Sequence, residues 1–353
     1  MSKKSPFKKV NEFRNKQWVY TKRPEKLVDQ RHYTLEENVI SISDVKLGKA
    51  LLKSVYFSID PYMRIQQSKH NTWEEPYPLN TVQGGAVVAQ IVAINDNSSS
   101  LKKGDWVLSY TGWQEYAITE ISSLRLLDPI DVSVTTALGV LGMPARIAYF
   151  GLLEAGLPKK GETIVVSGAS GAVGQIVVQI AKIKGCKVIG IAGSDEKTKF
   201  LKKTIGVDEV INYKNHSSAK EMSQELKRVS PEGIDIYYDN VGGYITDAVF
   251  EHININARIV ICGQISQYSG GLDTPEMGPR FLHKILYKRA TITGVLARDY
   301  NNRMEELLLE MTPWVQNGLI QYQETIIQGF EKLPEALNML FLGKNKGKLI
   351  VKI

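Results

Sequence analysis

The sequence predicts an α/β protein in which a β-rich domain accompanies a doubly wound domain with a six-stranded parallel sheet. Before about residue 140, short β-branched and aromatic runs alternate with turn signals. From about residue 161, continuous apolar strands alternate with amphipathic helices, which indicates a parallel sheet buried on both faces. A chain of 353 residues is long enough for two such domains.

Alternation and β-branched content locate strands in the first domain. Two runs predict strands there, "KALLKSVYFSID" (49–60) and "GGAVVAQIVAI" (84–94). A polar segment then leads through Gly104 and Asp105 into "WVLSY", a pattern that is typical of a hairpin.

The second domain contains six candidate strands, most of them separated by helical patterns. These are "ETIVVSG", "CKVIGIAG", "EVINY", "IDIYYDN", "ARIVICG" and "ATITGVLA". A helix ending at Asn317 and Gly318 precedes two further β segments, "QYQETIIQGF" and "GKLIVKI". We therefore expect residues 1–139 and 318–353 to form the β-rich domain, with residues 140–317 inserted as the second domain.

Composition argues against several classes of protein. No apolar run approaches the roughly 18 residues that span a bilayer. The charged start, "MSKKSPFKKV", predicts a solvated tail and no secretory signal. Two cysteines, Cys186 and Cys262, argue against a disulfide framework and favour the cytoplasm. The net charge of +7 is interleaved with acids and no nucleic-acid motif is present, so we expect no nucleic-acid partner.

The segment "VVSGASGAVGQ" (165–175) places Gly168, Gly171 and Gly174 between an apolar strand and a helix. Glycines at this spacing permit a sharp turn, close approach of a pyrophosphate, and tight packing of the helix on the sheet. The helix start adds unpaired N–H groups for phosphate. An ordinary strand-to-helix turn also fits the triplet alone, but the next strand follows on schedule and favours a dinucleotide site.

The end of the second strand indicates which dinucleotide binds. An NAD site has a carboxylate there, whereas the 2′-phosphate of NADP requires cations. The strand ends at Gly193 and Ser194, and Lys197 follows within reach of a phosphate, which favours NADP(H) over the opposing influence of Asp195. The alternative is that Ser194 or Asp195 caps the next helix and Lys197 is a surface lysine of its first turn. Both interpretations can hold together.

Seven segments occur in an order that resembles a known family. They are "SIDPYMR", "GVLGMP", "AYFGLLEAG", "GASGAVGQ", "YYDNVGG", "CGQISQY" and "GKNKGKLIVK". Together they are similar to the zinc-independent medium-chain reductases of the prostaglandin reductase, alkenal double-bond reductase and curcumin reductase group. The resemblance implies a GroES-like β-rich domain, a Rossmann domain, and NADPH-dependent reduction of the C=C bond of α,β-unsaturated ketones or aldehydes. It also implies a homodimer, with "ATITGVLA" as the pairing edge strand.

The resemblance further implies roles for individual residues. Gly171, Ala172, Val173 and Gly174 would contact the pyrophosphate, Lys197 and Tyr213 the 2′-phosphate, and Asn240 the ribose. The nicotinamide half would lie against Cys262, Gly263, Gln264, Ile265, Ser266, Val295, Leu296, Ala297 and Asn345. Tyr268 would stand beside the nicotinamide ribose and the substrate carbonyl.

Reduction of a conjugated C=C bond places negative charge on the carbonyl oxygen, and a hydrogen-bond donor must meet that charge. A tyrosine with its ordinary pKa near 10 is protonated at neutral pH, so Tyr268 is the expected catalytic donor. Alternatively, its ring only packs over the cofactor. Tyr56, Tyr62, Arg64 and Met143 are expected near the substrate, although Arg64 equally fits a role in holding a loop through backbone carbonyls.

We expect no metal, because zinc needs four N, S or O ligands. Two cysteines cannot supply a four-cysteine site, and the zinc enzymes' Gly-His-Glu is replaced by Gly84, Gly85 and Ala86. The histidines are scattered without ligand spacing, at positions 32, 70, 216, 252 and 283.

One segment departs from the family pattern. The family's Gly-x-Thr after "GMP" is Ala145, Arg146 and Ile147 here, and Val295 replaces a common phenylalanine. Arg146 either favours a substrate that bears a carboxylate or points to solvent. Two other functions stay open at this point: an NADPH-dependent quinone reductase, and a non-catalytic NADPH-binding protein.

Overall fold

The computed structural model describes residues 11–69, 73–128, 132–270, 272, 274 and 277–353. The expected N-terminal tail and His70 lie outside the described residues. Among the described residues, no helix combines the length and the apolar character needed to cross a membrane.

Strands and helices alternate along the described chain. The strands are β1 (Glu12–Tyr20), β2 (Tyr33–Ser41), β3 (Lys49–Ile59), β4 (Thr81–Val82), β5 (Val87–Asn95), β6 (Trp106–Ser109), β7 (Tyr116–Glu120), β8 (Arg125–Leu127), β9 (Thr163–Val166), β10 (Lys187–Ala192), β11 (Glu209–Asn212), β12 (Ile234–Asp239), β13 (Ile253–Ile261), β14 (Thr291–Gly294), β15 (Glu324–Gln328) and β16 (Lys348–Lys352). The helices are α1 (Tyr62–Gln66), α2 (Met143–Phe150), α3 (Gly174–Ile183), α4 (Asp195–Phe200), α5 (Ala219–Val229), α6 (Tyr244–Phe250), α7 (Leu282–Lys288), α8 (Met304–Gln316) and α9 (Leu333–Phe341).

The β-rich part contains a three-stranded sheet, β2-β1-β4, and a seven-stranded sheet. The larger sheet has the order β15-β16-β3-β5-β6-β8, with β7 also paired to β3. The expected hairpin forms, since β5 and β6 pair antiparallel with Val87 opposite Ser109. Both C-terminal strands lie in this sheet, because β16 pairs with β3 and places Leu349 opposite Ile59.

The second part is a six-stranded parallel sheet in the order β11-β10-β9-β12-β13-β14. All six strands coincide with the six predicted segments, so the predicted fold class is confirmed. The strand order reverses direction between β9 and β12, and this is the switch point at which open α/β sheets bind their ligands.

Apolar helices cover both faces of the parallel sheet, as the continuous strands require. On one face, Ile176 and Val177 of α3 join Leu307 of α8 in a buried core. On the other face, Leu226 of α5 and Ile245 of α6 pack with a second set of strand residues.

Two glutamines on α3 hold the chain where it leaves the parallel-sheet part. Gln179 receives the N–H of Gln321 at 2.8 Å and donates to its carbonyl at 2.8 Å. One turn earlier, Gln175 receives the N–H of Gln323 at 2.9 Å and donates to its carbonyl at 3.3 Å. The return to the β-rich sheet is therefore fixed to the helix that begins at the glycine turn.

Candidate active site

The glycine turn brings α3 against the end of β9. Gly168 has φ +59°, a left-handed conformation that favours glycine. A Cβ atom on Gly174 would lie 2.3 Å from the carbonyl oxygen of Gly168, so only glycine permits this approach. At Gly171 the nearest atom to an added Cβ would be the same oxygen, at 3.2 Å. The N–H of Gly171 donates to the carbonyl of Gly168 at 2.9 Å, and half-buried Ala172 and Val173 lead into a ten-residue helix, whose first N–H groups suit a phosphate.

Asp239, at the end of β12, organises the strand ends at the switch point. Its carboxylate is fully buried and accepts six hydrogen bonds. Oδ1 accepts from Ser167 Oγ at 2.8 Å and from Tyr237 Oη, Val241 N and Gly242 N at 2.9 Å. Oδ2 accepts from Thr246 Oγ1 at 2.7 Å and Gln264 Nε2 at 2.9 Å. Sequence reasoning missed this residue, and the available signal was a single carboxylate ending an apolar strand.

Asn240 joins the neighbouring strand ends. Its Nδ2 donates to the carbonyl of Ser167 at 2.7 Å, and its N–H donates to Ser167 Oγ at 2.8 Å. The N–H groups of Cys262 and Gly263 donate to the carbonyl of Asp239 at 2.9 and 3.1 Å. The structure thus brings Asn240 and the segment 262–266, with Ile265 and Ser266 at its end, beside the glycine turn.

Tyr268 folds back over this segment. Its Oη accepts the N–H of Gln264 at 2.8 Å, and the side chain is only 7% exposed. Burial raises the pKa of Tyr268 to about 12. Within the described part of the chain, no acceptor takes the hydroxyl proton. The phenol is therefore held protonated, with its donor function unused.

Four further residues of the predicted nicotinamide site lie at the ends of β13 and β14, namely Cys262, Val295, Leu296 and Ala297. Cys262 lies beside Tyr238, and burial raises the pKa of its thiol to about 12, so it stays protonated. Val295 is buried in the core, where its Cγ2 would be 3.4 Å from a Cβ on Gly151. Leu296 and Ala297 follow β14 and are half-buried.

A lysine cluster lies beyond the end of β10. Lys197 Nζ donates to the carbonyl of Gly343 at 2.7 Å. Burial, together with the positive charges of Lys214 and Lys346, lowers the pKa of Lys197 against the opposing effect of Glu196. The ion pair between Lys346 and Glu196 cancels one positive charge of the cluster, and the charges of Lys197 and Lys214 remain. This excess of positive charge suits a phosphate.

The groups around this cluster show how the two interpretations of Lys197 combine. Ser194 caps α4 by accepting the N–H of Lys197 at 3.3 Å. The opposing carboxylate, Asp195, accepts from Asn212 Nδ2 at 2.7 Å. The ring of Tyr213 lies so close to Gly193 that an added Cβ would be 2.7 Å from its Cε1.

The start of β16 links the glycine turn to the "DPYMR" segment. Gly347 N–H donates to the carbonyl of Ser170 at 3.1 Å, and Asn345 Nδ2 donates to that of Gly347 at 2.9 Å. The next residue, Lys348, is buried and donates to Asp60 Oδ1 at 2.7 Å. Sequence analysis did not predict this buried ion pair.

The expected substrate residues differ in burial and in the contacts they make. Arg64 is 1% exposed and donates to the carbonyls of Lys26 and Pro24 at 3.0 and 3.1 Å, which favours the loop-holding alternative. Tyr62 is half-buried at the start of α1, and burial raises its pKa well above 10. Tyr56 packs against Trp106, with ring centroids 6.3 Å apart. In the described residues, no hydrogen bond or ring contact connects Tyr56 to Tyr268.

Helix α2 carries the segment that departs from the family pattern. Met143 is half-buried at its start, and Tyr238 Oη donates to the carbonyl of Ile147 at 2.8 Å, which fixes α2 against β12. Arg146 is only 9% exposed, so it does not point freely to solvent.

Known proteins match both parts of the chain. A family model described as "N-terminal domain of oxidoreductase" matches residues 16–127, and one described as "Zinc-binding dehydrogenase" matches residues 172–312. The NADPH-dependent curcumin reductase of Escherichia coli is 38% identical, over 96% of this chain and 97% of its own. The NADP-dependent 2-alkenal reductase of Nicotiana tabacum is 41% identical, over 86% and 87%.

The chain belongs to the zinc-independent medium-chain reductases. A solved structure of CurA from Vibrio vulnificus in complex with NADPH superimposes with a TM-score of 0.87. Its sequence is 40% identical, and the match covers 96% of this chain and 98% of that one. The resemblance identified from the motifs is therefore confirmed.

One of the matching models is named for zinc, but the residues of this medium-chain reductase do not fit that metal. In the ranges that the structure describes, no three His, Cys, Asp or Glu side chains are grouped to hold a metal ion. Cys186 lies buried beside Lys159, and Cys262 lies beside Tyr238.

Proposed function

We propose that the protein reduces the C=C bond of α,β-unsaturated ketones and aldehydes with NADPH. The observation that carries the proposal is the protonated Tyr268 hydroxyl at the switch point of a dinucleotide-binding sheet. The names of the relatives support it, since one is a curcumin reductase and another a 2-alkenal reductase.

The residues present fit NADPH. The backbone from Gly171 to Gly174 at the start of α3 would hold the pyrophosphate, and Lys197 with Tyr213 would hold the 2′-phosphate. Asn240, the segment 262–266, residues 295–297 and Asn345 would surround the remainder of the molecule. When bound, NADPH supplies the hydride that the β-carbon of the substrate accepts.

Tyr268 would stabilise the negative charge that develops on the substrate carbonyl oxygen. Its Oη accepts from Gln264 N–H, which fixes the hydroxyl and leaves its proton to be donated. A pKa of about 12 keeps this proton in place at neutral pH. One such donor contributes about 3 kcal/mol to transition-state stabilisation.

We further propose a cytoplasmic homodimer. Both cysteines are free thiols, as a reducing compartment maintains them. The strand β14 lies at the edge of its sheet, and beside it α7 exposes Leu282, Leu286 and Tyr287. An unpaired edge with apolar neighbours suits pairing with a second copy. Light scattering at micromolar concentration tests this, and a monomer would contradict it.

The proposed activity is tested by following NADPH oxidation with 3-nonen-2-one, 4-hydroxynonenal, curcumin and a naphthoquinone. We expect enone reduction with NADPH, slower reduction with NADH, and a loss of about 100-fold in kcat for Tyr268→Phe. Tyr116→Phe, at a half-buried tyrosine on β7 that belongs to no proposed site, is the matched control and should retain full activity.

Other outcomes would replace the proposal. Turnover of the quinone alone would make the protein a quinone reductase. Tight NADPH binding without turnover of any compound would make it a binding protein. Full activity of Tyr268→Phe would remove Tyr268 from the mechanism.

A further inference from the structure

Two arginines, one on β8 and one on α2, lie close enough to interact electrostatically. Arg146 lies on α2 and is 9% exposed, and Arg125 begins β8 and is half-buried. Each has a buried Nε atom without a hydrogen-bond partner. Arg125 Nη2 makes only a long contact of 3.4 Å to the carbonyl of Leu141. In the described residues, neither guanidinium forms an ion pair with a carboxylate.

Such an arrangement is costly in the free protein. Removing a charged group from water without a counter-ion costs several kcal/mol, and two like charges add repulsion. Burial lowers the pKa of both arginines, and Arg146 lowers that of Arg125 further. Two other buried charges of this protein are satisfied, since Lys348 pairs with Asp60 and Asp239 accepts six hydrogen bonds. Among the described residues, Arg125 and Arg146 have neither an ion-pair partner nor a complete set of hydrogen bonds.

The surroundings place this pair near Tyr62 and Met143, two residues that the family resemblance implies at the substrate. Tyr110, directly after β6, interacts electrostatically with Arg125, Arg146 and Tyr62. The side chain of Tyr110 is itself 61% exposed. Arg146 also follows Met143 by three positions, which puts both residues on one side of α2.

We propose that Arg125 and Arg146, together with Tyr110, bind a carboxylate carried by the substrate. The preferred substrates are then α,β-unsaturated ketones or aldehydes with an acid group remote from the double bond. A planar guanidinium presents paired donors that match a carboxylate, and the two buried Nε–H groups are the donors left unused. This inference rests on the proposed function and specifies its substrate class.

A matched substrate pair tests the inference. The acid is 8-oxonon-6-enoic acid, which is 3-nonen-2-one with a terminal carboxylate, and its methyl ester is the neutral partner. For the wild-type enzyme we expect a KM for the acid roughly 10- to 100-fold below that for the ester, as charged hydrogen bonds predict. Arg146→Leu should abolish this difference by raising the KM for the acid alone.

Two further variants separate recognition from folding. Arg146→Lys keeps the charge but loses the planar fork, so the KM for the acid should fall between the wild-type and Arg146→Leu values. Arg14→Leu removes an exposed arginine of the β-rich part and should change neither KM. A second readout needs no turnover: saturated 8-oxononanoic acid should raise the Tm of the wild-type protein and leave that of Arg146→Leu unchanged.

Each contrary result has a distinct meaning. Equal KM values for acid and ester in an active wild-type enzyme would overturn the inference and leave the proposed function intact. If neither compound is reduced although NADPH binds, the proposed function fails, and the Tm measurement alone decides the arginine site. Equal stabilisation by inorganic phosphate, or a raised KM for NADPH in Arg146→Leu, would assign the arginines to another anion and overturn the inference.

Discussion

Asp239 and Arg146 are both buried charges on elements of the candidate site, but their surroundings differ. The carboxylate of Asp239 receives six hydrogen bonds, from six residues spread between Ser167 and Gln264. The guanidinium of Arg146 has a buried Nε without a partner and another arginine as its charged neighbour. A complete set of partners marks a charge that holds the fold together, and an incomplete set marks a charge that is available to a ligand.

The same difference separates two lysines of the protein. Lys348 is buried and paired with Asp60, whereas Lys197 lies near Lys214 and Lys346 and donates only to a backbone carbonyl. Removing a charge of the first kind should lower stability. Removing a charge of the second kind should spare stability and weaken binding.

The largest expected effect comes from Asp239→Asn. The NH₂ group of an asparagine would replace one carboxylate oxygen and cannot accept the hydrogen bonds that this oxygen receives. The buried groups that donate to it would therefore lose their acceptor. We expect a loss of about 3–5 kcal/mol in the free energy of unfolding, measured by urea denaturation. The control is Asp195→Asn, an exposed carboxylate with one side-chain partner, which should change stability by less than about 0.5 kcal/mol. Equal effects of the two variants would contradict the comparison.

A smaller effect is expected for Lys197→Ala, which should weaken NADPH binding without lowering the stability of the ligand-free protein. The KM for NADPH should rise about 10-fold, as one charged contact of about 1.4 kcal/mol predicts, while the KM for NADH stays unchanged. The Tm of the ligand-free protein should stay level or rise, since repulsion from Lys214 and Lys346 is relieved.

Lys203→Ala, at an exposed lysine after α4, is the matched control for cofactor selectivity. It should leave both KM values as they are. A Lys197→Ala protein that loses stability yet binds NADPH normally would place Lys197 among the structural charges.

The elements of the fold could be predicted because their signals are local. Each parallel strand is a continuous apolar run, and the turn at Gly168 and Gly174 needs glycine for reasons of backbone geometry. Lys197 was also predicted, because its distance from the strand end is fixed by a few residues of chain. All of these signals lie within one β-α-β unit.

Contacts between distant segments could not be predicted in the same way. The donors of Asp239 come from Ser167 to Gln264, and only the folded sheet brings them to one carboxylate. Arg125 and Arg146 belong to different parts of the chain, and neither segment alone predicts that the two side chains lie close together. The sequence identified Arg146 as unusual, but only its burial in the folded protein argues against the alternative in which it points to solvent.

The smallest expected effect concerns pH and the neutral phenol of Tyr268. Tyr268 has a pKa raised to about 12 by burial, above the ordinary tyrosine value near 10. Because the folded protein holds the proton more tightly than the unfolded chain, the stability linked to Tyr268 is complete below about pH 10 and is lost between about pH 10 and 12. The hydroxyl should therefore donate throughout the neutral range, and the kcat for a neutral enone should not decline between about pH 7 and 10 through this group.

The measurement compares pH profiles of kcat for wild type and Tyr268→Phe. A decline of kcat near pH 9 in the wild type alone would contradict this prediction. It would show that the phenol of Tyr268 loses its proton to water near its ordinary pKa, and that its hydroxyl already donates to solvent before substrate binds.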